Sequence, residues 1–229
     1  MNYKGNLFFL TADHNIHIDD HRLNERTGVD NFLSVLNNIS DRNSFTTVMT
    51  PIGGFYFMES FDFSKDDLNP QLIDVAISLV DRTKLEHPFV TDEDIKDDQG
   101  KSFVLPNQVK FQFLEEHIIH PSSEDTYYIF GKIKPQFKGL FLHRTNTFKN
   151  ELKYVGSSGR YILLNTTEET IKYEEWAGLS GSPVLNQEGK CVGILCSVLE
   201  GTKSVFIKPF KEITPLLDTV ILQERIKDA

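Results

Sequence analysis

The sequence predicts an all-β protein of antiparallel strands, on two grounds. Short apolar runs separated by turn residues recur along the 229 residues, and phenylalanine, which favours strands, occurs 18 times. A chain of this length can bury the core of one large β domain or of two small ones. The expected strands are residues 6–11, 45–50, 53–59, 72–79, 107–114, 126–133, 138–143, 152–156, 160–165, 183–186, 190–198 and 203–208.

Two segments carry apolar residues at helical spacing instead. Residues 28–39 predict a helical insertion, and residues 210 to about 227 predict a C-terminal helix. The acidic and polar residues 81–102 predict a surface excursion, and a boundary between two halves of the chain is expected within residues 95–125.

Composition excludes several classes of protein. Apolar residues make up 39% and charged residues 25%, the net charge is −9, and the basic residues are scattered, which argues against a nucleic-acid partner. No run of about 18 apolar residues is present, and residues 7–10 are too few for a signal peptide, so we expect no membrane partner. No metal-ligand spacing or phosphate loop is visible, and we expect no cofactor and no metal.

The two cysteines, Cys191 and Cys196, are expected to be free thiols. Five positions apart on one predicted strand, they would point to opposite faces with Cα atoms roughly 16 Å apart. A disulfide requires less than about 7 Å. Two buried free thiols are typical of a reducing compartment, and the expected location is the cytoplasm.

A glycine-flanked serine lies in the sequence GLSGSP at residues 178–183. Gly178 allows the backbone to turn so that its own N–H and that of Ser180 point at one spot, which is the geometry of an oxyanion hole. Gly181 removes a Cβ that would crowd an attacked carbonyl. The pattern predicts a nucleophile at Ser180, with a purely structural hairpin as the alternative.

A serine nucleophile needs an imidazole to take its proton and a carboxylate to orient that imidazole. His14 comes just after the apolar run at residues 7–10, which would fix it beside a cleft. Asp74 opens the apolar run at residues 71–80, where a carboxylate needs a hydrogen-bond donor. Taken singly, each residue also has a purely structural interpretation. His14 would be a structural histidine, and Asp74 would be a strand-edge cap.

These segments resemble a known family. The sequences LTADH at residues 10–14, DVAI at 74–77 and GLSGSP at 178–183 are similar to the three signatures of the trypsin-like (chymotrypsin-fold) serine peptidases, in that family's order. The resemblance covers nearly the whole chain. It implies two six-stranded-type antiparallel β-barrels, one in residues 1–105 and one in residues 106–229, with the second ending in a helix.

The resemblance also implies a role for each motif residue. His14 would be the general base, Asp74 the orienting acid and Ser180 the nucleophile, and the backbone N–H groups of Gly178 and Ser180 would form the oxyanion hole. Leu179 stands where secreted digestive relatives carry an aspartate that pairs with a new N-terminus. The chain is therefore similar to the bacterial and intracellular branch of the family, which lacks that zymogen switch.

Two further departures concern the first barrel. Asp13 replaces the small residue usual before the histidine; we expect it to face solvent, and the alternative is that this extra carboxylate beside His14 raises the pKa of the histidine or competes with Asp74 for it. Only residues 1–6 precede the strand that leads to His14, where the family has two strands. The first barrel is therefore expected to be short, to lack upstream residues or to be completed by another segment.

The family's pocket strands, matched onto this chain, place Cys196, Ser197 and Val198 in the wall that contacts the substrate. Val198 stands where relatives with a deep pocket have glycine, which predicts a narrower pocket. Glu174, six positions before Ser180, falls at the pocket floor, where a carboxylate would favour lysine or arginine. A solvated turn at Glu174 is the alternative.

The sequence thus favours a serine endopeptidase that acts on a protein or peptide substrate through an acyl-enzyme intermediate. One alternative is a catalytically silent, peptidase-like binding module. Another is an active enzyme gated by a regulatory protein partner, with residues 15–44 and 81–102 as natural places for control.

Overall fold

The structure, a computed structural model, describes residues 1–16, 33–40, 45–52, 54–60, 71–80, 95–96, 102–104, 113–138 and 141–227. Its strands are β1 (Asn2–Tyr3), β2 (Asn6–Thr11), β3 (Leu33–Ser40), β4 (Phe45–Ile52), β5 (Phe55–Ser60), β6 (Gln71–Leu79), β7 (Ile95–Lys96), β8 (Ser102–Val104), β9 (Thr126–Lys138), β10 (Phe141–Ser158), β11 (Tyr161–Asn165), β12 (Pro183–Asn186), β13 (Cys191–Val198) and β14 (Ser204–Pro209). The helix α1 (Phe210–Lys227) follows, and short 3-10 helices cover Asp13–Asn15, Glu115–His117 and Tyr173–Glu175.

The second half of the chain forms a closed antiparallel barrel. Its six strands follow the order β10-β11-β14-β13-β12-β9. All six contribute apolar side chains to one buried cluster, which includes Tyr127, Leu152, Leu164, Val184 and Val205. The expected barrel in this half is confirmed.

The first half forms an open sheet in the described residues. Its strands follow the order β1-β2-β6-β5, and β3 pairs separately with β4. A closed first barrel, as the family resemblance implied, is therefore not seen in this part of the chain. The two-residue strand β1 pairs with β2, with Asn2 opposite Leu7.

A second apolar cluster joins the sheet, the barrel and α1. It includes Phe8 and Ile77 from the sheet, Leu185 and Ile194 from the barrel, and Leu217 from the helix. The helix α1 contacts β13 and β14 of the barrel and also β5 and β6 of the sheet. Residues from all three parts thus exclude water from one core, which favours a fixed arrangement of the two halves.

The predicted helical insertion at residues 28–39 is wrong where the structure describes it. Residues 33–40 form β3, which pairs with β4 from Leu33 opposite Ile52 to Ser40 opposite Phe45. Serine, asparagine, valine and isoleucine in this segment are mediocre helix formers, and a strand partner close in sequence outweighs the helical spacing. Residues 28–32 lie outside the described residues.

Most predicted strands are present, and some are longer. β2 and β12 have the predicted bounds. The strands β9 and β10 extend well beyond the predicted runs because their hairpin continues to Phe141 opposite Lys138. β12 pairs with Tyr127–Ile129 of β9, and Pro135 lies outside that stretch. Proline is tolerated where a strand is paired on one side only.

Two other predictions fall partly outside the described residues. Of the strand predicted at 107–114, only residues 113–114 are described, and they are not in a strand. β7 lies within the predicted surface excursion at residues 81–102 and pairs with β8 at its end, with Ile95 opposite Val104. Across the described ranges, no helix has the length and apolar character needed to cross a bilayer.

Candidate active site

His14 and Asp74 form a close pair. The ring Nδ1 of His14 lies 3.0 Å from Oδ1 and 3.1 Å from Oδ2 of Asp74, and the backbone N–H of His14 donates to Oδ1 at 3.3 Å. An ionised carboxylate only accepts hydrogen bonds, so Nδ1 carries the proton and Nε2 has the acceptor lone pair in the neutral ring. This is the tautomer that a general base requires.

Strand register brings this pair together. Thr11, at the end of β2, lies opposite Ala76 of β6, so the chain beyond Thr11 runs alongside the part of β6 that contains Asp74. The ladder between β5 and β6 shifts register between Phe57 and Met58, which leaves extra residues on β6 at Asp74. Such bulges re-aim side chains and recur next to active sites.

The electrostatics of the pair favour the charged imidazole. The hydrogen bond that His14 donates to Asp74 raises the pKa of His14 above its ordinary value of 6.5, and the charges of Asp74 and Asp13 act in the same direction. Burial of the ring opposes them without reversing the shift. The imidazolium that forms when His14 takes a proton is thus stabilised.

The expectation that Asp13 faces solvent is wrong. Asp13 is only 1% exposed, on the first turn of the 3-10 helix Asp13–Asn15. Because this helix turns directly out of β2, the residue after Ala12 is directed into the protein rather than continuing the strand into solvent. Its carboxylate adds to the negative potential at His14.

The serine turn exposes two backbone donors. The amides of Leu179, Gly181 and Ser182 donate to the carbonyl oxygens of Trp176, Leu195 and Leu179, at 3.0, 2.7 and 2.9 Å. Within the described residues, the amides of Gly178 and Ser180 donate to none. Gly178 has a φ of +100°, a conformation that suits glycine. These are the two amides that the sequence singled out as oxyanion-hole donors.

The serine turn and the histidine segment are in contact. The side-chain amide of Asn15 donates to the carbonyl oxygen of Ser180 at 2.8 Å. A Cβ built on Gly181, whose φ is +86°, would lie 2.5 Å from Thr11 Oγ1 and 3.1 Å from the Ala12 nitrogen. Residues before and after His14 thus lie against the Ser180–Gly181 peptide group: Thr11 and Ala12 before it, and Asn15 after it.

The hydroxyl of Ser180 donates to the carbonyl oxygen of Cys196 at 3.4 Å, a long hydrogen bond. A bond of this length holds the Ser180 hydroxyl only weakly. Leu179, the residue before it, is fully buried in the barrel cluster. The serine is therefore presented by a turn that the barrel core anchors.

The expected pocket residues have different surroundings. Glu174 is exposed on the 3-10 helix Tyr173–Glu175, as the solvated-turn alternative predicted. Ser197 is exposed and Val198 is half-buried at the end of β13. Cys196 is 1% exposed, and its thiol donates to the backbone oxygen of Asp74 at 3.2 Å, so its side chain lies behind Asp74.

The cysteines are free, as expected, but they do not point to opposite faces. Cys191 and Cys196 both belong to the cluster between sheet, barrel and helix. Between β12 and β13, Val184 lies opposite Gly193 and Leu185 opposite Cys191, so Val192 is an extra residue. This bulge inverts the alternation of side chains along β13.

Sequence reasoning missed a buried lysine beside the site. Lys208 of β14 is 1% exposed, and its ammonium lies 3.5 Å from the centre of the Tyr161 ring. Burial lowers the pKa of Lys208, whereas the negative charges of Glu212 and Asp74 oppose that shift. A single lysine in the otherwise apolar part of β14 was the available signal, but its partners lie far away in the sequence.

Among the described residues, no three His, Cys, Asp or Glu side chains are grouped so as to hold a metal ion.

Comparison with protein-family models gave no match, and a search of curated proteins found no significant relative.

Proposed function

We propose that this protein is a serine endopeptidase that hydrolyses peptide bonds through Ser180, His14 and Asp74. The observation that carries the proposal is the contact between the two loops: the His14–Asp74 pair and the Ser180 turn meet through Asn15, Thr11 and Gly181. The segments that carry these three residues are distant in sequence and are in contact in the fold. This contact supports an acyl-transfer site more than any one motif does.

In the proposed reaction, the Ser180 hydroxyl turns from the Cys196 carbonyl to His14. Nε2 of His14 takes the hydroxyl proton as Oγ attacks the carbonyl carbon of the substrate. The N–H groups of Gly178 and Ser180 stabilise the oxyanion, and protonated His14 then gives its proton to the leaving amine. An ester on Ser180 results, and water activated by His14 hydrolyses it.

The substrate would be a protein or peptide chain lying beside the end of β13. Its preceding side chain would contact Ser197 and Val198, and half-buried Val198 would limit the size of that side chain. Glu174 is too exposed to act as a buried counter-ion, so we propose at most a weak preference for lysine or arginine through it. The free buried thiols suit a reducing compartment such as the cytoplasm.

A second candidate is a peptidase-like module that is silent or gated by a protein partner. The observation in its favour is the Ser180 hydroxyl, which is directed to the Cys196 carbonyl. In the described residues the first sheet is open, and a partner could act on a strand edge of this sheet.

A fluorophosphonate probe tests the proposal. The probe forms an Oγ–phosphorus bond as fluoride leaves and the hydroxyl proton passes to His14. We expect the purified protein to be labelled, and Ser180→Ala to abolish labelling, whereas Ser182→Ala in the same turn retains it. A folded protein that is not labelled when pure but is labelled in a lysate would support gating. Absence of labelling in both would support a silent module.

A further inference from the structure

Asn15 lies at the junction of the two catalytic loops. Its side-chain amide carries two hydrogens; one donates to the carbonyl oxygen of Ser180 at 2.8 Å and the other to Thr11 Oγ1 at 2.9 Å. Thr11 belongs to β2, and Asn15 is the neighbour of His14. The amide thus connects the Ser180 turn directly to the segment that carries the base.

The peptide group between Ser180 and Gly181 is held on both sides. Asn15 donates to its carbonyl oxygen, and its N–H donates to the carbonyl oxygen of Leu195 at 2.7 Å. Because a peptide group is planar, these two bonds fix its orientation and with it the position of the Ser180 Cα. One anchor belongs to the histidine segment and the other to the barrel strand β13.

The space around this peptide group is tightly filled. A Cβ at Gly181 would meet Thr11 Oγ1 at 2.5 Å and the Thr11 Cα at 3.1 Å. Thr11 Oγ1 is the same oxygen that accepts from Asn15. The Asn15 amide, the Thr11 hydroxyl and the Gly181 backbone therefore form one compact contact between the two halves of the molecule.

We infer that Asn15 is a positioning residue that sets the distance between Ser180 and His14 through its hydrogen bond to the Ser180 carbonyl. The inference rests on the proposed function. The two halves carry their catalytic groups on separate sheets, and a displacement of about 1 Å between reacting groups costs on the order of 100-fold in rate. A hydrogen bond that joins the neighbours of the base and the nucleophile restrains that displacement directly.

The test measures fluorophosphonate labelling of Asn15→Ala, resolved into probe affinity and the maximal labelling rate across pH. We expect the maximal rate to fall about 10- to 100-fold. We expect probe affinity to change less than about threefold, and the pH midpoint of labelling to stay at the wild-type value, because Asp74 still holds His14. Asn6→Ala is the matched control, since Asn6 also donates to a backbone carbonyl, that of Lys4, away from Ser180.

Several outcomes overturn the inference. One is a wild-type labelling rate in Asn15→Ala, and another is a shifted pH midpoint, which would mean that Asn15 acts on His14 instead.

If circular dichroism shows that Asn15→Ala does not fold, Asn15→Ser takes its place in the test, because the shorter serine side chain cannot reach the Ser180 carbonyl. If the wild type is labelled through Ser180 and only the Asn15 result fails, the proposed function stands. If the wild type is not labelled at all, both the proposed function and the inference about Asn15 are contradicted.

Discussion

The carboxylate of Asp74 accepts from both the ring and the backbone of His14, with ring contacts of 3.0 and 3.1 Å and a backbone contact of 3.3 Å. The backbone contact does not depend on the charge of the imidazole. Asp74 therefore remains beside His14 when the ring is neutral, and is in place to stabilise the imidazolium when the ring takes a proton.

Replacement of Asp74 by asparagine should change both the rate and the pH dependence of labelling. Since Asp74 raises the pKa of His14 above 6.5, wild-type labelling should increase with pH through a midpoint above 6.5. In Asp74→Asn that midpoint should fall, and the maximal rate should drop by on the order of 10⁴-fold because the favoured tautomer is lost. The measurement is the labelling rate against pH.

Asp13→Asn is the matched control for this change. Asp13 contributes only through its charge, the smallest of the causes that raise the pKa of His14, so the midpoint should fall less than in Asp74→Asn. The raised pKa of His14 also makes the stability of the fold depend on pH. The stabilisation from charged His14 is fully present below pH 6.5 and is lost as pH rises through the raised pKa. An unchanged midpoint in Asp74→Asn would contradict the assigned pair.

Gly181→Ala should damage the site far more than a comparable change elsewhere. Gly181 has a φ of +86°, and a Cβ there would lie 2.5 Å from Thr11 Oγ1, so the turn and β2 must separate. Gly189 has a φ of +77° with nothing within 4 Å of its Cβ position, so Gly189→Ala carries only the backbone strain. That strain amounts to about 1–2 kcal/mol.

We expect Gly181→Ala to lower the labelling rate by at least about 100-fold, through separation of Ser180 from His14. Gly189→Ala should label normally while its midpoint of thermal unfolding falls by a few degrees. Equal labelling of the two variants would show that the contact with Thr11 has no part in positioning Ser180.

The candidate site could be proposed from sequence because its residues are local signals. A glycine-flanked serine, a histidine after a buried strand and an aspartate in an apolar run are each visible within a few residues. The burial of Asp13 was not, since it depends on a 3-10 turn that leaves β2. Asn15 carried no signal, because its bond to Ser180 joins residues that are 165 positions apart in the sequence.

The fold, like the candidate site, could be predicted from the sequence only in part. The strands of the barrel follow from alternation and turns, whereas β3 was mistaken for a helix because its apolar spacing fits both periods. The bulge at Val192, which places both cysteines on one side of β13, is a property of the ladder with β12 rather than of β13 alone. Periodicity identifies elements, but pairing partners decide their register.

Lys208→Met should leave stability at neutral pH unchanged or higher. The surroundings lower the pKa of Lys208, which means that its charged form is less favourable in the fold than in water. Methionine has a similar length without the charge. Wild-type stability should rise as pH increases from the lowered pKa towards 10.5, and this rise should be absent in the variant.

Urea unfolding at neutral and alkaline pH checks the expectation for Lys208. Lys153→Met is the control, since the exposed side chain of Lys153 donates only to Thr126 Oγ1 in the described residues. A loss of more than about 1 kcal/mol in Lys208→Met would show that the contact with the Tyr161 ring outweighs the cost of burial.

Glu174→Gln should alter substrate preference only slightly. An exposed carboxylate gains at most about 1 kcal/mol from an opposite charge, which is about fivefold in rate. We therefore expect kcat/KM for arginyl peptides to fall less than about fivefold relative to alanyl peptides. Glu169→Gln, also at an exposed position, is the control. A loss of 100-fold or more would mean that Glu174 is enclosed when substrate binds.

The thiols of Cys191 and Cys196 should be unreactive in the folded protein. Burial raises the pKa of Cys191 to about 12 and also raises that of Cys196, so neither is a thiolate at neutral pH, and neither is accessible. We expect no rapid reaction with Ellman's reagent in the native state and reaction of both after unfolding. Cys191→Ala isolates Cys196, whose reaction requires β13 to move from Asp74. Fast native labelling of that variant would show that the cluster behind Asp74 opens, and a rigid His14–Asp74 pair could then no longer be assumed.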